Sequence, residues 1–229
     1  TKLLIPILLA MGYALLMYRF SVWRTGRMLD AQSRPLSDPD VLAQVDHLAR
    51  ALDLPRIAVH VFDVDPVNGL AAPDGRIFLT RGFLDRKAQG AVTAEELAAV
   101  IAHELGHVAL GHSRRRMIDF TGQNAVFVLL SAVLSRILPG VGTLIANLLA
   151  RMLMARLSQR DEYEADAYAT ALLIKSGIGS APQKSLFRKL DAMTRGAGSG
   201  QPAWLLSHPS SRLRIAAIEA NEARWVTPA

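Results

Sequence analysis

The stretch His103-Glu104-Leu105-Gly106-His107 constrains this chain more than any other, because it lies inside a segment that every local signal marks as a helix. Thr93, followed three residues later by Glu96, is a capping-box pattern, and Ala94, Glu95 and Glu96 place helix formers and negative charge in the first turn. Leu97, Ile101, Leu105 and Val108 then recur at helical spacing as one apolar stripe, while His103, Glu104 and His107 cluster on a different face. The spacing predicts a helix that buries one side and offers the other. Gly106 keeps it slim beside the histidines, at a cost of up to about 1 kcal/mol against alanine. Arg114, Arg115 and Arg116 follow where positive charge suits a helix C-terminus.

Two imidazoles four residues apart on a helix lie on one face and reach a single tetrahedral zinc ion, and the glutamate between them can serve a water molecule there. A third ligand is then required. The metzincin pattern would place a glycine at 110 and a histidine at 113, where this chain has Leu110 and Ser113. His112 falls in line with Leu105 and Val108 and reads as a helix-end or core histidine. Glu162 and Asp166, four apart on a second helical stretch, are the stronger pair. Glu162 can complete the two histidines, and Asp166 can accept a hydrogen bond from a ligand imidazole. The alternative for such a stretch is a solvated acidic face, which is the reading for Glu164.

Three motifs, HELGH at 103–107, EYEAD at 162–166 and His208-Pro209-Ser210-Ser211-Arg212-Leu213-Arg214-Ile215, carry a family resemblance. Over residues 38–215 the chain resembles the membrane-associated gluzincin metallopeptidases, which include the HtpX-type bacterial proteases, the CAAX prenyl proteases and the mitochondrial Oma-type proteases. The resemblance implies one catalytic Zn2+ held by His103, His107 and Glu162, with Glu104 as general base and Asp166 as partner of a ligand histidine. It also makes His208 and Arg214 candidate active-site or structural residues, and His208 is the candidate for stabilising an oxyanion. By itself a His-Pro pair is a turn. The implied fold is α+β and predominantly helical: a zincin-type metalloprotease domain with a small β-sheet, an active-site helix and an ExxxD helix, plus membrane-associated apolar helices. The implied substrate is an unfolded or membrane polypeptide, cut in quality control or processing.

Residues 57–62 are rich in β-branched side chains between Pro55 and Pro66, and 67–72 and 76–80 flank Pro73-Asp74-Gly75, so three strands are predicted. In the resembled family a strand at the Asn68 position lines the cleft, which makes Asn68 and Gly69 substrate-binding candidates, and Arg214 of the His208 motif is a third. An extended peptide can pair with such an edge through its backbone. The plain alternative is that Asn68-Gly69 is a turn. Gly69 stands where many relatives have alanine. Elsewhere Asp38-Pro39 starts a helix to about Leu52, residues 177–182 mark a break between helices, and the Gly/Ser-rich 194–202 segment reads as a loop.

Residues 3–18 are uncharged and mostly apolar, Phe20, Val22 and Trp23 extend the run, and Lys2, Arg19, Arg24 and Arg27 flank or follow it. This predicts an N-terminal membrane anchor over 1–23 in preference to a signal peptide, because no small-residue cleavage site follows. The arginines predict a metallopeptidase domain over 37–224 on the cytoplasmic side of a bacterial inner membrane. A second apolar region, 120–154, is broken at Arg136 and Pro139-Gly140 and lies between the two ligand motifs, so any crossings must come in pairs. A helical hairpin inserted at 117–157 satisfies that rule. Its arms of about 14 to 16 uncharged residues, roughly 21–24 Å, fall short of a hydrocarbon core of about 30 Å. A two-pass insertion, a dip into one leaflet, a homo-oligomer contact and a buried core hairpin all remain open.

A net charge of +6 fits anionic membrane lipid better than nucleic acid, since no aromatic-basic interleaving is present. The chain has no cysteine, which excludes disulfides, thiolate metal sites and a cysteine nucleophile. Two functions follow: a zinc endopeptidase, or a zinc-stabilised scaffold or chaperone that does not cleave. Glu104 favours the enzyme, because a purely structural site has no use for a base.

Overall fold

The computed structural model describes residues 4–72, 74–112, 127, 131–137, 139, 141–196 and 211–226. Helix α1 (Leu4–Gln32) runs directly into strand β1 (Ser33–Pro35) and is followed by helix α2 (Pro39–Ala51). Strands β2 (Val59–Phe62), β3 (Gly69–Ala71) and β4 (Ile77–Thr80) come next. Helices α3 (Arg81–Ala88), α4 (Ala94–Ala109), α5 (Gly142–Lys175), α6 (Ala181–Gly196) and α7 (Ser211–Val226) complete the described elements. The fold is mostly helical, with one small mixed sheet.

Local chemistry explains most of these boundaries. The Asp38 side chain accepts from the Asp40 and Val41 backbone N–H groups, each at 3.1 Å, and Pro39 opens α2. The β3–β4 hairpin turns at Gly75, whose φ of 87° favours glycine, and the Ala72 N–H donates to the Arg76 carbonyl at 2.8 Å. The sheet order is β1-β2-β4-β3, with β2 and β4 parallel and both outer pairs antiparallel. Strand β1 was not expected, since Ser33-Arg34-Pro35 carries no strand signal. It pairs because α1 delivers it beside β2, and its proline sits on a sheet edge. Leu29 of α1 packs with Phe78 and Ala72, so the end of α1 covers part of the sheet.

The structure overturns the expected transmembrane helices, and with them the inner-membrane location. Among the described residues no helix is long and apolar enough to cross a membrane. In the first apolar segment the run ends at Arg19, and Arg24 and Arg27 follow before α1 is complete. In the second, the arm beginning at Gly142 meets Arg151 and Arg156 and continues without a break into the acidic 160–166 stretch, so that both belong to the 34-residue helix α5. Much of the 117–157 segment before that helix lies outside the described residues.

Helix α4 is the axis of the domain. Its capping box forms as expected: the Glu96 N–H donates to Thr93 Oγ1 at 3.2 Å and the Thr93 N–H donates to Glu96 Oε2 at 2.9 Å. Glu96 also accepts from Ser185 Oγ at 2.7 Å and Lys189 Nζ at 2.8 Å, which ties the start of α4 to α6. Instead of burying one stripe, α4 is enclosed nearly all round from Glu96 to His107, because α2, α5, α6 and the β3–β4 edge all pack on it. Val108, beyond that stretch, is exposed. The helix stops at Ala109, short of the arginines at 114–116, because Gly111 adopts a left-handed φ of 66°.

Gly106 sets the distance between α4 and α5. A Cβ there would lie 3.0 Å from the Ala165 carbonyl oxygen, 3.1 Å from Ala165 Cα and 3.3 Å from Tyr168 Cβ. We expect Gly106→Ala to lower the unfolding free energy by about 1–3 kcal/mol through overpacking, outweighing a gain of up to about 1 kcal/mol in helix propensity. Thermal or urea melts measure this, and an unchanged or raised midpoint would show slack at the contact.

Candidate metal centre

Three helices meet at one buried cluster. Helix α4 supplies His103, Glu104 and His107 on adjacent turns, α5 supplies Glu162 and Asp166, and α7 supplies Arg214, all buried. The Nε2 atoms of His103 and His107 stand 3.1 Å apart. Glu162 closes the triangle, with Oε2 at 3.3 Å from His103 Nε2 and Oε1 at 3.5 Å from His107 Nε2. Three ligand-type atoms from α4 and α5 thus converge on one point, and His103, His107 and Glu162 can hold a metal ion there.

Behind this triangle lies a charge pair that water does not reach. Asp166 Oδ1 lies 2.9 Å from His103 Nδ1, and Arg214 grips both carboxylate oxygens of Asp166, with Nε and Nη2 each at 2.6 Å. The guanidinium also sits 4.4 Å over the Phe187 ring, in cation–π geometry. Burial alone would raise the Asp166 carboxyl, but Arg214 and His103 hold it below the ordinary 3.8. Burial likewise works against a charged His103, yet the Asp166 and Glu162 carboxylates outweigh it and hold that ring up to about 9 in the metal-free protein.

Arg214 therefore sits beneath the ligand cluster, with Asp166 as its partner, and 2% of its surface is exposed. Asn68 precedes β3, its N–H donating to Thr80 Oγ1 at 2.9 Å, and Gly69 opens that edge strand opposite Leu79. His208 and most of the 194–202 loop lie outside the described residues. His112 is buried just past the end of α4, as a helix-end or core histidine would be, but sequence reasoning missed its contact with the cluster, Nδ1 lying 2.7 Å from Nδ1 of His107. Its placement follows from Gly111, whose left-handed turn folds the chain back over the helix end; a glycine after the last periodic residue was the signal that could have found it. Glu164 is only partly exposed and lies 3.3 Å from His112 Nε2.

Removing Arg214 alone strands a buried carboxylate, so Arg214→Met is expected to cost about 3–5 kcal/mol, with less-than-additive loss in the Arg214→Met/Asp166→Asn double variant. Denaturant melts of the four proteins measure the cycle. A depressed Asp166 contributes stability that is present above 3.8 and lost as pH falls through its folded value, so Asp166→Asn should flatten the acid limb of midpoint against pH in metal-free protein. A raised His103 holds a proton that a metal must displace. Metal affinity should accordingly rise with pH and level off near 9, as chelator competition at several pH values would show.

Comparison with known proteins gives the cluster its setting. Residues 35–222 match the model described as Peptidase family M48. The chain is 34% identical over 154 residues to Metalloprotease LoiP of Escherichia coli (strain K12), covering 67% of this chain and 58% of that protein. It is 33% identical over 159 residues to Protease HtpX homolog of Methanothermobacter thermautotrophicus, covering 64% of this chain and 56% of that protein. It is 32% identical over 161 residues to Mitochondrial metalloendopeptidase OMA1 of Schizosaccharomyces pombe, covering 70% of this chain and 45% of that protein. The chain thus spans 45–58% of the length of these relatives. With the family match running over most of its length and the His/Glu cluster at its centre, this chain belongs to Peptidase family M48.

Proposed function

We propose that this chain is a zinc-dependent endopeptidase of the gluzincin type, acting on unfolded polypeptide in protein quality control or processing. The observation that carries the reading is the ligand triangle. Atoms bound at 2.0–2.1 Å to a tetrahedral ion stand about 3.3 Å apart; the two Nε2 atoms are separated by 3.1 Å, one Glu162 oxygen lies 3.3 Å from the first and its other oxygen 3.5 Å from the second. Charge supports a divalent ion. With both histidines neutral, as ligation requires, Glu104, Glu162 and Asp166 against the guanidinium of Arg214 leave two formal negative charges in a buried site. Nitrogen and carboxylate donors without sulfur also suit zinc.

When bound, zinc would supply Lewis acidity, lowering the pKa of water toward about 7 and polarising the scissile carbonyl. The chain's own groups do the rest. His103 and His107 would hold the ion through Nε2, and Asp166, held by Arg214, keeps His103 in the tautomer that leaves Nε2 free to ligate. Glu104, one residue along α4 from His103 and buried, accepts the proton of the attacking water as its oxygen adds to the carbonyl carbon. It returns that proton to the amide nitrogen as the C–N bond breaks. His208 is the proposed donor to the oxyanion.

Substrate binding is assigned to β3. This strand pairs with β4 on one side only among the described residues, and it packs against α4. An extended polypeptide added along its outer edge would extend the sheet beside α4, the helix that carries two of the ligands, with Asn68 and Gly69 at the entry. Backbone pairing gives affinity without demanding a sequence, which suits unfolded chains.

Glu104→Gln separates binding from chemistry. Elemental analysis should find about one zinc per chain in wild type and in the variant, while hydrolysis of an unfolded casein substrate falls by about 10²–10⁴-fold in the variant. Equal cleavage by both would remove Glu104 as base, and absence of zinc from both would remove the site.

A further inference from the structure

We propose that His112 is a positioning residue for the metal site, fixing the tautomer of His107 as Asp166 fixes that of His103. The inference rests on the zinc reading above and extends it to a residue beyond the HExxH motif. Its basis is a chain of contacts. His107 Nδ1 lies 2.7 Å from His112 Nδ1, and His112 Nε2 lies 3.3 Å from Glu164 Oε2 and 3.9 Å from Asp161 Oδ1. Glu164 is itself held by Arg160 Nε at 2.8 Å.

One proton arrangement satisfies every member of this chain. A histidine that ligates through Nε2 carries its ring proton on Nδ1. His107 Nδ1–H must then donate to His112, so His112 Nδ1 is bare and accepts. The ring proton of His112 therefore sits on Nε2, facing the Glu164 and Asp161 carboxylates, which are acceptors. The two ligand histidines are thus steadied by different chemistry: His103 by a carboxylate directly, His107 by a neutral imidazole with carboxylates behind it. Hydrogen bonding of this kind holds the ring at the angle ligation requires and raises its basicity.

The same contacts argue against a metal at His112, Asp161 and Glu164, although their ligand atoms also converge. An ion on His112 Nε2 would move that ring's proton to Nδ1, where it would confront the proton on His107 Nδ1 across 2.7 Å. Filling one cluster in this geometry disables the other.

The test compares metal-stripped wild type, His112→Leu and His112→Asn by chelator competition for zinc and by the visible spectrum of the cobalt-loaded proteins. Leucine should weaken zinc affinity by about 10–100-fold and shift the cobalt bands. Asparagine should stay within about threefold of wild type, because its Oδ1 stands where Nδ1 stood and accepts the same hydrogen bond. Melts of the metal-free proteins report whether each variant folds. Nitrogen-15 histidine spectra of zinc-loaded wild type give a reading that needs no variant: the Nε2–H tautomer of His112 is expected, and the Nδ1–H tautomer would overturn the proposal. Equal zinc affinity in wild type and His112→Leu would overturn the His112 role alone. A second zinc per chain that is lost in Glu164→Gln would replace it with a second metal site. A wild type that takes up no zinc would sink the metal reading and this proposal with it.

Discussion

Two helices that build one His/Glu cluster must approach closely enough for short side chains to meet, and here that approach is governed by Gly106 against Ala165. Any side chain at 106 would have to displace the backbone of α5. Because Glu162 lies less than one turn from Ala165, the contact that sets the helix separation also sets the reach of the third ligand. The rest of the domain holds this contact in place. Helix α2 and the sheet pack on α4 from other sides, and Glu96 pins its first turn to Ser185 and Lys189 of α6. The glycine's cost in helix propensity is therefore spent at the position where closeness matters most.

Electrostatics imposes the second constraint. A buried carboxylate is tolerated only when paired and hydrogen-bonded, and α4 and α5 bury three of them around two histidines. Arg214 neutralises Asp166 with a two-pronged grip, which commits that carboxylate to holding His103. A lysine could not reproduce this, since it lacks the planar fork and the stacking on Phe187.

Local signals made much of this legible in the sequence. The capping box at Thr93, the aspartate cap at Asp38, the Asp74-Gly75 turn and the four-residue spacing of both ligand motifs act within a few residues, so they survive whatever the remainder of the chain does. What escaped was set by tertiary context. Strand β1 pairs because α1 brings it there, not because Ser-Arg-Pro favours a strand. The Asp166–Arg214 pair joins residues 48 apart, and no pattern in either helix announces it. A regular helix extended past Gly111 misplaces His112, and the enclosure of α4 on nearly all sides blurs the expected split between a buried and an offered face. The apolar segments suggest membrane spans by composition, but each continues into a helix whose arginines cut the apolar run short.

The assembly from three helices also fixes an order in time. The two histidines leave the ribosome early and Glu162 later, but the guanidinium that neutralises Asp166 arrives 111 residues after His103. At translation rates of roughly 5–20 residues per second that interval is roughly 6–22 s. Over the last 48 residues of that interval the nascent chain holds an Asp166 carboxylate whose guanidinium partner has not yet been made, so the cluster cannot settle into its buried form until α7 has docked. Assembly of the buried cluster is in this way deferred until α7 has been made.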